Sequence, residues 1–320
     1  MPLAEIPLRA WRKRGQSFVF RGQTIRYWVA GQGEPLLLIH GFPSASWDWH
    51  YLWQPLAQRN LVIACDMLGF GDSAKPLDHT YCLLEQADLQ QALLAHLRVQ
   101  QPVHIMAHDY GDSVAQELLA RHYEGSFQLA SCVFLNGGLF PETHRAALVQ
   151  KLLLSPLGWM IGRAFGRNAL ADSFKQIFGP GTRPSESALD DFWSLIENND
   201  GPRILHKLIA YIPQRRQQRE RWVAAMQRGE VPLRVIDGEV DPISGGHMVA
   251  RYRELIADAD TVLLANIGHY PQVEAPVQVL KHYLAFARAL KATRIACGNL
   301  LMQEQACLRC GYLGKSVAPR

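Results

Sequence analysis

Most of the features that would take this chain out of the ordinary globular class are missing from it. Its six cysteines are scattered, three of them at Cys65, Cys82 and Cys132 in the central region, which suits a reducing cytoplasm better than a disulfide framework. The most apolar long stretch, residues 146–165, is interrupted by Gln150, Lys151, Pro156 and Arg163. It falls short of the ~20 apolar residues of a spanning helix and reads as an amphipathic helix covering a pocket. Basic residues occur early, in Trp11-Arg12-Lys13-Arg14, but no apolar run follows them, so no export signal is expected. A basic stripe is absent too. The formal charge is +4, and after residue 290 five bases (Lys291, Arg294, Arg309, Lys315, Arg320) stand against one acid, Glu304. That tail carries the whole excess, and no nucleic-acid reading motif accompanies it.

What is present is a chain able to bury a full core. Of its 320 residues 48% are hydrophobic and 19% charged, which excludes a disordered or fibrous protein and leaves room for one catalytic domain with an inserted subdomain. Apolar runs alternate with helical patterns, as in a mostly parallel sheet wrapped by helices. Eight strands are predicted, at Gln16–Phe20, Thr24–Val29, Pro35–Ile39, Leu61–Cys65, Val103–Ala107, Cys132–Leu135, Leu233–Asp237 and Thr261–Leu264. Helices are expected at Trp47–Ala57, Leu84–Leu97, Ser113–His122, His247–Leu255 and Val277–Leu290. From about Phe140 to Arg228 helical patterns continue without a convincing strand, which predicts an inserted helical cap. The expected organisation is thus an α/β core over residues 1–139 and 229–290, a cap over 140–228, and a basic, poorly packed tail over 291–320.

The sharpest local signal is Val103-His-Ile-Met-Ala-His108-Asp109-Tyr110-Gly111, an apolar strand that enters a helix through a small-residue turn. Such a turn lifts its central side chain above the sheet and offers the next backbone N–H to a developing oxyanion. The usual occupant is Ser; here it is Asp109. A carboxylate is ionised at neutral pH and attacks an electrophilic carbon without prior deprotonation, giving an ester that a base-activated water must then hydrolyse. The bland alternative is an Asp that caps the next helix. Two serines imitate a serine elbow: Ser113, expected inside that helix, and Ser73, in a turn after Asp66-Met-Leu-Gly69-Phe-Gly71.

The partners follow in the chain order of this fold. Asp241 comes after the strand Leu233–Asp237, and His269 after the last strand. Asp241 is expected to fix the tautomer of His269, leaving its other nitrogen for the ester and its water. Asp237 and Glu239 compete for that acid role, and Asp241 is preferred because it lies furthest into the loop and precedes Pro242. In His40-Gly41-Phe42-Pro43, Gly41 lets the backbone pass close to the elbow, so the N–H groups of Phe42 and Tyr110 form the expected oxyanion hole. His40, His104 and His108 read as hydrogen-bonded structural residues.

With these residues in place, the core resembles the epoxide hydrolase and haloalkane dehalogenase branch of the α/β-hydrolases. More closely, the chain resembles the mesoderm-specific transcript protein family from about Arg12 to Ala289. HDYGDSVAQELL (His108–Leu119), NGGLFPETHR (Asn136–Arg145), TRPSES (Thr182–Ser187) and NNDG (Asn198–Gly201) carry that resemblance. It implies a hydrolase without a settled natural substrate, and a membrane association in animal relatives for which this sequence supplies no segment.

Epoxide opening needs an acid for the leaving oxygen, and epoxide hydrolases usually supply two cap tyrosines. The cap here offers Tyr211, placed by spacing on one face with Ile204 and Leu208 of a helix that starts near Asp200-Gly201-Pro202. The alternative is a packed tyrosine, and His206 is a weaker substitute acid. Trp193 and Tyr110 are the candidate substrate contacts. Dehalogenases place a Trp after the nucleophile to bind halide, where this chain has Tyr110, so the haloalkane reading stands second. A binding protein that keeps the fold without turnover stands third. A small-molecule substrate and no cofactor are expected. Cys307-Leu-Arg-Cys310 with Cys297 lacks the ligands to complete a metal site, and the run from Arg215 to Arg221 reads as a solvated helix face. Because the predicted nucleophile is a carboxylate, fluorophosphonate probes should leave the protein unmodified; stoichiometric labelling at Ser113 or Ser73, read by peptide mass spectrometry, would overturn that assignment.

Overall fold

Pro35-Leu-Leu-Leu-Ile39 and Val103-His-Ile-Met-Ala-His108 are buried at every position, the pattern of strands covered on both faces. A computed structural model describes residues 3–293 of the chain. It contains one eight-stranded sheet: β1 (Gln16–Phe20), β2 (Gln23–Ala30), β3 (Pro35–Ile39), β4 (Leu61–Cys65), β5 (Val103–His108), β6 (Leu129–Leu135), β7 (Leu233–Gly238) and β8 (Thr261–Leu264), in the order β1-β2-β4-β3-β5-β6-β7-β8. β1 pairs antiparallel with β2 and β2 with β4, and every later pairing is parallel. All eight predicted strands are present. The edge strand β1 alternates exposed and buried residues near its end, as a one-sided strand should.

Because β3, β5, β7 and β8 run the same way, the loops that follow them gather at one edge of the sheet, where open α/β sheets bind ligands. The helix Tyr110–Tyr123 starts earlier than Ser113, immediately after Asp109, so Ser113 lies inside it. One predicted helix of the core is corrected. Residues 47–57 form a 3-10 turn, Ser46–Trp49, and a separate short helix, Trp53–Ala57. Four consecutive residues, Trp47, Asp48, Trp49 and His50, are buried there, which a single α-helical face cannot achieve. Between β6 and β7 the chain forms only helices and turns. No helix among the described residues is long and apolar enough to cross a membrane.

The chain forms two compact units: Met1–Val279, which holds the sheet, and Leu280–Arg320, helical as far as residue 293. Most of the basic tail, with Cys297, Cys307 and Cys310, lies outside the described residues.

One carboxylate fixes the loop after β8. Glu274 accepts the N–H groups of Gly268 (2.9 Å) and Tyr270 (2.8 Å), the two neighbours of His269, together with the Gly179 N–H (2.8 Å) and the Thr182 hydroxyl (2.5 Å). Removing it strands three backbone donors at once. Glu274→Ala is therefore expected to cost about 2–4 kcal/mol in urea unfolding, and a change below about 0.5 kcal/mol would show that the loop holds itself.

Candidate active site

Strand β5 ends at His108, and Asp109 turns the chain with φ +48° and ψ −104° before the helix begins. A non-glycine residue held there is strained, and the strain aims its side chain above the sheet. Gly41 makes the neighbouring approach possible, since a Cβ there would lie 2.6 Å from His108 Nδ1 and 3.0 Å from Asp109 Cβ. The Phe42 N–H consequently donates to Asp109 Oδ2 at 3.1 Å. Burial works against the charge, yet His269, Arg215 and the Phe42 N–H together hold the Asp109 carboxyl below the usual carboxylate range.

The loop after β7 brings Asp241 to His269, with Oδ2 at 2.8 Å from Nδ1. Asp241 also accepts from the N–H groups of Ile243 (2.8 Å) and Ser244 (3.1 Å), the Ser244 hydroxyl (2.9 Å) and Asn136 Nδ2 (2.9 Å). Against the effect of burial, His269 and these donors lower its pKa to about 2. The two competing acids end elsewhere. Asp237 is engaged by the Asn136 N–H at 2.6 Å and burial pushes its carboxyl well up, while Glu239 is exposed. Burial would lower the pKa of His269, but the charge and hydrogen bond of Asp241, then the charge of Asp109, raise it to about 9.

The three histidines read as structural, His40, His104 and His108, have internal partners. His40 bonds the Gly41 carbonyl through Nδ1 (2.8 Å) and accepts the Met67 N–H at Nε2 (3.0 Å); His108 Nε2 meets the His269 carbonyl at 2.7 Å. His104 Nδ1 is 2.7 Å from the Ser131 hydroxyl. Neither serine is free: Ser73 donates to the Asp66 carbonyl at 2.6 Å, and Ser113 accepts from Arg215 Nε at 2.6 Å.

Arg215 is the residue that sequence reasoning missed. Instead of facing solvent it is 1% exposed, with its guanidinium 4.4 Å above the Tyr211 ring. Nη2 donates to the Asp109 carbonyl at 2.9 Å and lies 3.5 Å from Asp109 Oδ1. The rest of the run is as expected, Arg219 pairing with Glu142 and Arg221 with Glu117 and Glu124. The signal was available: Arg215 lies four residues after Tyr211, so the two share a helix face.

Tyr211 itself is fully buried, and its hydroxyl accepts from Gln150 Nε2 at 3.4 Å. Its helix is not the one predicted. Asn199 and Asp200 adopt positive φ (52° and 57°), the turn over Asn198–Ile204 and the helix Leu205–Leu208 follow, and a new helix, Tyr211–Gln227, begins at Tyr211. Pro213 in its first turn needs no intrahelical donor. Ile204, Leu208 and Tyr211 nevertheless all point inward.

A cavity of about 290 Å3, lined chiefly by Phe42, Leu148, Leu153, Phe165 and Phe174, reaches His269. Trp193, Tyr110 and His206 are not among its lining residues, and Asp109 and Tyr211 lie behind its wall, next to the lining residues Phe42 and Gln150. Trp193 stands behind Phe165, ring centroids 6.2 Å apart. Tyr110 is buried between Phe70 and Tyr211, with centroids 5.3 and 5.1 Å away. His206 sits against Gly158.

Residues 34–276 match the family model described as alpha/beta hydrolase fold. The human mesoderm-specific transcript homolog protein is 41% identical over 295 residues, 87% of each chain. The cis-3-alkyl-4-alkyloxetan-2-one decarboxylase of Shewanella oneidensis is 28% identical over 277 residues, 83% of this chain and 85% of that one. Among solved structures, the haloalkane dehalogenase DbeA from Bradyrhizobium elkani superposes with a TM-score of 0.76 at 19% identity, over 87% of this chain and 99% of that one. The chain belongs to the alpha/beta hydrolase fold family, and within it is similar to the mesoderm-specific transcript proteins.

Proposed function

We propose that the protein is a two-step hydrolase in which Asp109 is the nucleophile, with an epoxide or a comparably strained small apolar electrophile as substrate. The observation that carries this reading is a buried carboxylate at the strand–helix elbow, with Oδ2 on the Phe42 N–H and Oδ1 left to attack, held below the usual carboxylate range by His269 and Arg215. Oδ1 bonds to an epoxide carbon, the ring C–O bond breaks, and its electron pair passes to the ring oxygen, which takes a proton from Tyr211. The product is an ester of Asp109. Water then attacks the ester carbonyl while His269 takes its proton, and the oxyanion forms against the N–H groups of Phe42 and Tyr110. Cleavage of the acyl C–O bond passes its electron pair to the diol oxygen, which takes the proton of the re-formed Asp109 carboxyl, and the proton that His269 gives up on ester formation returns to Tyr211, so carboxylate, imidazolium and phenol are all restored.

The electrostatics support this order of events. In the resting site the pKa of His269, raised to about 9 first by Asp241 and then by the charge of Asp109, keeps its ring protonated at neutral pH. Ester formation removes that charge, so the pKa of His269 falls and the ring becomes a base only once there is an ester to hydrolyse. Asp241 keeps Nδ1 occupied throughout and leaves Nε2 for the water. The cap, residues 140–228 in this reading, supplies an apolar lining and, behind the lining residue Gln150, Tyr211.

A second reading draws on Arg215. A β-lactone, the ring in the name of the Shewanella relative, opens to a carboxylate when its alkyl carbon is attacked. A guanidinium 3.5 Å from the attacking oxygen suits that developing charge. The haloalkane alternative lacks a comparable observation, since Phe42 and Tyr110 carry no side-chain N–H.

Two variants test the scheme. His269→Gln leaves attack intact and blocks hydrolysis, so with a styrene oxide-type substrate the intact mass should rise by one substrate and the adduct should map to the Asp109 peptide. An active wild type whose His269→Gln variant neither turns over nor gains mass would sink the Asp-ester mechanism. Tyr211→Phe should slow ester formation on an epoxide by about 10²-fold or more, and an unchanged single-turnover rate removes Tyr211 from the reaction.

A further inference from the structure

On the other side of Arg215 lies a second cavity, of about 460 Å3, whose chemistry the proposed reaction does not use. Four cations, Arg145, Lys151, Arg215 and Arg216, line it together with His144. No carboxylate is among the lining residues. Arg145, Lys151 and Arg216 are exposed and take part in no ion pair among the described residues. The nearest acid along the chain, Glu142, is already bound by Arg219 and Arg251.

Behind the inner wall of this cavity, in Arg215 and His144, lie polar atoms without partners. Arg215 spends Nε on Ser113 and Nη2 on the Asp109 carbonyl, but Nη1 is buried and unpaired. Both ring nitrogens of His144 are likewise shielded from solvent and unpaired. The two groups converge on Gly138: a Cβ added there would stand 2.5 Å from Arg215 Nη1 and 3.2 Å from His144 Nδ1. Glycine at that position keeps the space between the guanidinium and the imidazole free of a side chain. A water molecule could satisfy the unpaired nitrogens, but it would leave three exposed cations, Arg145, Lys151 and Arg216, facing one cavity without a counter-charge, since Arg215 alone has Asp109. An anion answers both requirements, because the guanidinium fork and neighbouring ammonium groups are donors matched to carboxylate and phosphate oxygens.

We propose that this cavity is a binding site for an anionic group, a carboxylate or a phosphate, held by Arg215, Arg216, Lys151 and Arg145. The anion sits at the Nη1 side of Arg215 while Nη2 faces Asp109, so one guanidinium separates the two negative charges. The site stands apart from the identity of the nucleophile, since it concerns binding and not turnover.

The test is titration calorimetry on the full chain with octyl phosphate, octanoate, inorganic phosphate and, as the uncharged control, octanol. Octyl phosphate or octanoate should bind at least about tenfold more tightly than octanol, and the preference should weaken with added salt. In the double variant Lys151→Glu/Arg216→Glu, both surface positions, the preference should disappear while octanol binds as before, which excludes misfolding as the cause. Inorganic phosphate that competes with octyl phosphate supports a free anion as the source, and competition only by the octyl compounds supports a head group on an apolar chain. Equal binding of octanol and the two anions, with no binding of phosphate, overturns the proposal. So does a charge-reversed variant that binds octyl phosphate as tightly as the wild type.

Discussion

A carboxylate that stays ionised with only 2% of its residue surface exposed is the constraint around which the rest of this site is arranged. Burying an unpaired charge costs several kcal/mol even after relaxation, about the whole stability of a domain in unfavourable cases. Asp109 therefore needs compensation from every side. The Phe42 N–H arrives from the loop after β3, His269 from the loop after β8, and Arg215 from the helix Tyr211–Gln227. These segments are far apart in the chain. They meet because the parallel strands present their following loops at one sheet edge, and because the helix Tyr211–Gln227 lies on the helix Tyr110–Tyr123 that starts at the elbow.

The same edge shows how donor number, more than burial, decides the fate of an acid. Asp241 and Asp237 are both buried and four residues apart. Asp241 gathers five donors and its pKa falls to about 2, whereas Asp237 has one N–H on one oxygen, an unpaired second oxygen, and a carboxyl pushed well up by burial. The donors come from the turn itself: Ile243 and Ser244 lie two and three residues past Asp241, in the loop that Pro242 helps to shape. His269 inherits its high pKa from that charge, and Glu274 holds the loop that presents it.

The strands were legible because a two-sided strand must be apolar throughout and ends at turn residues; β3, β4 and β8 have the expected bounds. The elbow was legible for a related reason, since an apolar run that stops at His108-Asp109-Tyr110-Gly111 has little freedom before a helix. Helical readings failed where local pattern and tertiary burial part company. Residues 47–57 look like one amphipathic helix, but the burial of four successive side chains breaks it. The single helix expected to run from near Asp200 to Tyr211 is instead a 3-10 turn, a short helix ending at Leu208 and a new helix from Tyr211, and the inward face survives because each short segment packs separately. Trp193 was a reasonable candidate contact by type, yet it is Phe165 that lines the cavity and Trp193 that backs it.

By itself the sequence determined the fold class, the strand set, and the order in which Asp109, Asp241 and His269 occur, because each follows from hydrophobic periodicity or from residues at strand ends. Only the tertiary structure decided which polar residues share a buried space. Within a run of arginines, local composition favours solvent for all of them, and only the spacing of four from Tyr211 marks Arg215 as different. Packing of one helix on another turns Arg215 inward against Tyr211, Ser113 and Asp109 and leaves Arg216 and Arg219 outside. That outcome depends on helix rotation and on the space left by Gly138, which are set by contacts between segments distant in the chain.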